Sequence, residues 1–296
     1  MRIKKIAVFY AILAAALYAI NVPFSKLLLD FAAPTMMAAF LYLGAGVGMF
    51  ICGLVNSKNE KQTEHLTRKE LPYTVAMVVL DILAPIFLML GISMTNSANV
   101  SLLNNFEIVA TSIIALVIFK EAISKRLWLA IVLVLSASIL LSFEGADAFV
   151  WNYGSLFVLG ACICWGFENN CTKMISNKSS VEIVVIKGIF SGLGSLVVAF
   201  VCGEKIPSVL IVLCIMLLGF VAYGLSINFY IMAQKELGAA KTSAYYSVAP
   251  FLGVAFSMLF LGEKSGVRFY IALVIMIVST VIMVKDTLQV ENGKGE

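Results

Sequence analysis

Apolar residues along this chain come in runs of about twenty, separated by short polar connections. Roughly twenty helical residues are what a hydrocarbon layer requires. The pattern predicts ten membrane-spanning helices, at residues 6–29, 33–55, 71–92, 97–119, 126–143, 152–174, 180–203, 207–233, 240–262 and 266–285. The connections are too short to hold a soluble domain, so the expected fold is an all-α integral membrane protein. Pro34, Pro72 and Pro207 fall at span starts, where a missing N–H costs nothing. Pro23, Pro85 and Pro250 fall within spans and predict kinks. The first run resembles a secretory signal with AAALYA as its cleavage region, but its apolar stretch continues to Leu29, which favours a retained first helix.

Composition agrees with the pattern: 61% of residues are hydrophobic and 13% charged, with a mean hydropathy of +0.99. The formal charge of +4 arises from Lys and Arg in the connections. With the amino terminus inside, sixteen basic residues fall on the inner side and four (Lys26, Lys205, Lys264 and Arg268) on the outer. That asymmetry predicts cytoplasmic termini in a cell membrane, and it reads as membrane-flanking charge rather than a nucleic-acid surface. All six cysteines lie in apolar segments and His65 is the only histidine, so no metal, disulfide framework or cofactor is expected. An intramembrane enzyme would need a nucleophile with its base, or an HExxH motif, and neither is present.

The chain also repeats itself. YAINVPFSK at 18–26 aligns with WGFENNCTK at 165–173, and the segment ending at Glu121 aligns with the one ending at Glu263, 142 residues later. Because each copy holds five spans, the second enters the membrane from the opposite side. Two inverted five-helix repeats, 1–145 and 146–296, are therefore expected, with a substrate site between them. On these motifs the chain resembles the ten-helix EamA-type branch of the drug/metabolite transporter superfamily, whose repeats share a WG-x-N-x-x-x-x-K pattern and a fourth helix ending in GE. The resemblance implies a transporter with an EamA-like unit in each half. The basic residue common in that family's second helix is Leu41 here, with Lys187 at the equivalent place in the second half. The proline common in its fourth helix is Ile108, with Pro250 as partner.

Ionisable residues inside spans are costly unless paired or hydrated, which makes each a functional candidate. Four stand out: Asp81, Glu107, Glu168 and Lys187. Helical rise places Asp81 and Glu107 roughly 15 Å deep and Glu168 and Lys187 roughly 10 Å deep, so the latter two are expected to pair. Asp81 reads separately, as an amine ligand or proton carrier. Ser97, Ser101, Asn104, Glu107 and Thr111 recur at helical spacing and predict one polar face of an unbroken fourth span. Tyr223 and Tyr246 add aromatic surface near the same cavity. Asp81, Asn104 and Glu107 are expected to form one wall, with Asn21, Glu168 and Asn169 opposite and Ser101 and Lys187 among the substrate-binding residues. The repeated glycines Gly44, Gly46, Gly48, Gly188, Gly192 and Gly194 are read as helix contacts, and Glu121 and Glu263 as structural.

The expectation is a secondary transporter, by preference an exporter, of small polar metabolites such as amino acids or related zwitterions, working as a monomer or homodimer in lipid and open to proton coupling. An exporter of organic cations is the alternative within that class, and a membrane scaffold or sensor the alternative outside it.

Overall fold

The structure is a computed structural model and describes residues 2–55, 64–94, 100, 103–142, 153–249, 251–253, 255–256 and 267–292. Regular structure among the described residues is entirely helical: α1 (Arg2–Tyr18), α2 (Asn21–Leu28), α3 (Pro34–Val55), α4 (Leu71–Met94), α5 (Phe106–Val117), α6 (Lys125–Ser142), α7 (Tyr153–Ile175), α8 (Ser180–Val201), α9 (Val209–Gly219), a π-helical segment (Phe220–Leu225), α10 (Ser226–Leu237), α11 (Ala239–Tyr246) and α12 (Val267–Asn292). Among the described residues, five stretches are long and apolar enough to cross a membrane: Lys4–Leu28, Pro34–Val55, Leu71–Met94, Ser180–Val201 and Val209–Leu237.

Local chemistry sets several helix ends. Before α4, Glu70 Oε2 accepts from Thr67 N at 2.8 Å and from Thr67 Oγ1 at 2.6 Å, half of a capping box. Ser179 caps α8 by accepting from Glu182 N at 3.1 Å. Gly238, at φ +86°, turns the chain between α10 and α11. The first amides of α11 are then held by a distant carboxylate: Glu121 Oε2 accepts from Ala239 N at 3.1 Å and Oε1 from Ala240 N at 3.2 Å. Glu121 is structural, as its position at a span end suggested; Glu263 and Pro250 lie outside the described residues.

Packing is dominated by four helix pairs: α3 on α8, α4 on α7, α1 on α10, and α6 on α12. The α3–α8 crossing brings backbone against backbone. A Cβ on Gly46 would lie 2.7 Å from the Ile189 nitrogen, and one on Gly188 would overlap the Gly46 backbone. Small residues allow this approach, the packing mode that membrane helices favour. Large apolar side chains such as Phe9, Phe31, Phe50, Leu210, Leu217 and Val274 face outward, where lipid rather than water suits them.

The helices are more broken than the hydrophobic pattern suggests. The first span is interrupted at Ala19–Ile20 rather than kinked after Pro23. Pro23 has no N–H for the carbonyl four residues back, and that carbonyl belongs to Ala19, so the break falls one turn before the ring. The expected eighth span contains the π segment. The expected fourth span is not one helix where it is described: Asn104 and Asn105 form a turn, with Glu107 N donating to Asn104 O at 3.0 Å, and α5 begins only at Phe106.

Candidate functional site

The site is assembled at these interruptions. Tyr18 ends α1, Glu107 lies in the first turn of α5, Tyr223 lies in the π segment and Tyr246 ends α11. A π segment widens the helical turn and re-aims its side chains, and such segments recur at functional positions. Discontinuous helices also leave backbone and side-chain groups available at membrane depth. The unbroken helix α7 supplies Trp165, Glu168, Asn169 and Thr172, spaced i, i+3, i+4 and i+7 and so on one face. Lys187 comes from α8, Tyr42 from α3 and Asp81 from α4. Pro85 lies four residues beyond Asp81 and cannot donate to its carbonyl, which loosens α4 at the acid.

At the centre, Lys187 Nζ lies 2.8 Å from Glu168 Oε1 and 3.2 Å from Asp81 Oδ2, with all three residues buried. Each acid has a second, neutral donor. Tyr42 Oη donates to Asp81 Oδ1 at 2.9 Å, and Thr172 Oγ1 donates to Glu168 Oε1. The Glu168–Lys187 pair expected from matched depth is present. The separate placement of Asp81 is corrected: residue counting put it deeper in the membrane, but helix packing brings it to the same ammonium. Counting residues ignores the tilt and offset of one helix against another.

Glu107 is held from α7, where Asn169 Nδ2 donates to its Oε1 at 2.7 Å and to Thr111 Oγ1 at 3.2 Å. Asn170 ties the same two helices, donating to Thr111 O at 3.0 Å and Gly166 O at 2.8 Å. These groups face a space of about 420 Å³ not filled by protein atoms, with Glu107, Glu168, Asn169 and Lys187 as its polar lining. Its other walls are aromatic: Tyr18, Tyr42, Trp165, Tyr223, Tyr230 and Tyr246, with Ile227. The rings brace one another, Tyr42 to Tyr223 at 5.1 Å and Tyr230 to Tyr246 at 5.0 Å between centroids. A second space of about 300 Å³ shares Tyr18, Glu107 and Tyr246 with the first and is also lined by Asn104, Asn105, Ser243 and Ser247.

Of the expected residues, Glu107, Glu168, Asn169, Lys187, Tyr223 and Tyr246 line the first cavity. Asp81 supports it through Lys187. Asn21 is buried but is not part of the lining; it donates to Tyr223 Oη at 3.1 Å and accepts from Ser25 Oγ at 3.0 Å, so it orients a tyrosine. Asn104 lines the second cavity. Ser101 lies outside the described residues. Among the described residues, no cluster of His, Cys, Asp and Glu is suited to a metal ion.

The EamA-like transporter family matches the chain twice, over residues 5–143 and 152–285. This chain belongs to the EamA-like transporter family, within the drug/metabolite transporter superfamily. Membership makes it a multi-pass membrane protein of a family that transports small molecules. A protein of Methanothermobacter thermautotrophicus described as an uncharacterized transporter is 22% identical over 293 residues, spanning 92% of this chain and 84% of that one. A solved crystal structure shares the fold with a TM-score of 0.79 at 12% identity, covering 96% of this chain and 98% of that chain.

In this EamA-like chain the repeated motif divides its labour. The motif lysines bind helix ends: Lys26 Nζ donates to Ile92 O at 2.7 Å near the end of α4, and Lys173 Nζ to Lys235 O at 3.2 Å near the end of α10. The motif aromatics Tyr18 and Trp165 line the cavity. Their shared position in the two copies was the signal that could have assigned them. Tyr42 had no such signal, since its contact with Asp81 exists only after α3 packs on α4.

Proposed function

We propose that this protein is a secondary transporter, most naturally an exporter, of small polar metabolites bearing an ammonium group, with amino acids or related zwitterions as its cargo. The observation that carries this reading is the buried cluster of Lys187, Glu168 and Asp81 in and behind the wall of the cavity. Ionised groups inside a membrane protein are retained where solute or ions pass. Charged groups converging on one aromatic-walled space are the form that a small-molecule site takes. Alternating access is supported by the helix pairing. In a reading of ten spans as two inverted repeats, 1–145 and 146–296, the first helix of each half packs on the third of the other (α1 on α10, α7 on α4). The second helices pair with each other (α3 on α8), as do the fifth (α6 on α12). The family match falling once in each half supports the same division. The basic residues of the connections support cytoplasmic termini in the cell membrane.

Export of organic cations is the second reading, favoured by the six aromatic rings around two cavity-lining carboxylates. The test is flux in proteoliposomes loaded with mixed amino acids and amines. Uptake or counterflow of at least one solute is expected, lost in Glu168→Gln. Binding of a solute without flux in any condition would point instead to a scaffold or sensor. Full flux in both Asp81→Asn and Glu168→Gln would remove the site assignment.

A further inference from the structure

Resting on that transport reading, we infer that Lys187 is a resident counter-cation which the cargo's ammonium group displaces from Glu168, and that Asp81 is the carboxylate that keeps Lys187 paired while it is displaced. The geometry divides the two acids in this way. Glu168 and Lys187 both line the cavity, whereas Asp81 does not, and Asp81 is held by the hydroxyl of the wall residue Tyr42 at 2.9 Å. Lys187 is 2.8 Å from the cavity-lining partner and 3.2 Å from the one behind it. An ammonium has three donors, so Lys187 can lose Glu168 and still be neutralised by Asp81. Without Asp81, release from Glu168 would leave a bare buried cation, which is prohibitive in this setting.

The exchange sets a specificity rule. A cargo ammonium that takes Glu168 replaces one ion pair by another. If the cargo also carries a carboxylate, the donor that Lys187 has freed can receive it, so a zwitterion breaks one ion pair and makes two. An anion without an ammonium would bring a third negative charge to a single buried ammonium and leave the cluster two negative charges in excess. The ammonium is therefore obligatory and the carboxylate dispensable. The aromatic walls agree, because ring faces attract cations and offer nothing to an anion. With both acids ionised the three-residue cluster carries one more negative than positive charge, which also favours a cationic head group.

The test uses the full chain in detergent and two matched sets of probes: phenylalanine, 2-phenylethylamine and 3-phenylpropionate, and norleucine, pentylamine and hexanoate. Binding is followed by calorimetry and by the fluorescence of Trp165 in the cavity wall, at pH 8. Wild type is expected to bind amines and amino acids and to reject the two carboxylates. In Asp81→Asn/Lys187→Met, which removes one acid together with the base, amine affinity is expected to rise about tenfold, since no resident ammonium competes for Glu168. Amino acids should gain less, having lost their carboxylate partner. Glu168→Gln should bind neither. A cooperative thermal unfolding transition in the absence of any probe shows that each variant is folded. Carboxylate binding to wild type, or an amine affinity in the double variant equal to or below wild type, would overturn the exchange. If the probes bind as expected but none crosses the proteoliposome membrane, the transport reading fails and the exchange at Glu168 stands.

Discussion

Lys187→Met is the most informative single perturbation. Lys187, Asp81 and Glu168 are 3%, 0% and 2% exposed, so bulk water does little to screen the carboxylates once the ammonium is lost. Removing one partner of a buried ion pair costs about 3–5 kcal/mol, because an uncompensated charge remains; here two carboxylates remain. Asp81→Asn and Glu168→Gln retain acceptors for the Tyr42 and Thr172 hydroxyls. The triple variant Asp81→Asn/Glu168→Gln/Lys187→Met therefore buries no uncompensated charge. It is expected to return to wild-type stability or to exceed it by up to about 4 kcal/mol. The order should be the triple variant at or above wild type, then Asp81→Asn/Lys187→Met with one acid left, then Lys187→Met. Thermal unfolding in detergent can be followed by thiol labelling of the buried Cys162 and Cys171, with the exposed Cys202 and Cys214 changed to Ser. Lys187→Met unfolding at the wild-type midpoint, or a triple variant no more stable than the single one, would refute the reasoning that charge balance governs this core.

Gly188→Ala puts a Cβ into the Gly46 backbone and should cost at least about 3 kcal/mol, seen as loss of folded protein on size-exclusion chromatography. Gly53→Ala, on the same helix pair, would meet only the Val181 side chain at 3.1 Å and should stay within about 1 kcal/mol of wild type. Glu121→Ala removes the acceptor for two α11 amides and should lower stability by about 0.5–2 kcal/mol, read from the same unfolding assay. The hydrogen bonds from Thr67 hold the Glu70 carboxyl below its usual range. A carboxyl lowered on folding adds stability that is present above its unfolded value and is lost as pH falls through its folded one. The acid limb of the stability profile should therefore flatten in Thr67→Val, and an unchanged limb would exclude the contribution.

By itself the sequence determined the membrane class, the multiple spans and the identity of the charged residues, because each is a property of local composition and spacing. Asp81, Glu107, Glu168 and Lys187 are legible since an ionised group in an apolar run is conspicuous wherever the helix later sits. The expected Glu168–Lys187 pair was also legible, because the two residues lie on successive helices joined by a short turn. The tertiary structure decided the rest. Asp81 joins Lys187 only through packing of α3, α4 and α8, and the rings of Tyr18, Tyr42, Trp165, Tyr223, Tyr230 and Tyr246 meet across six different elements. The breaks at Ala19–Ile20, Asn104–Asn105 and Phe220–Leu225 were hidden for the same reason. Hydropathy measures whether a segment prefers lipid, whereas a break in a membrane helix is stable only when neighbouring helices satisfy the backbone groups it frees.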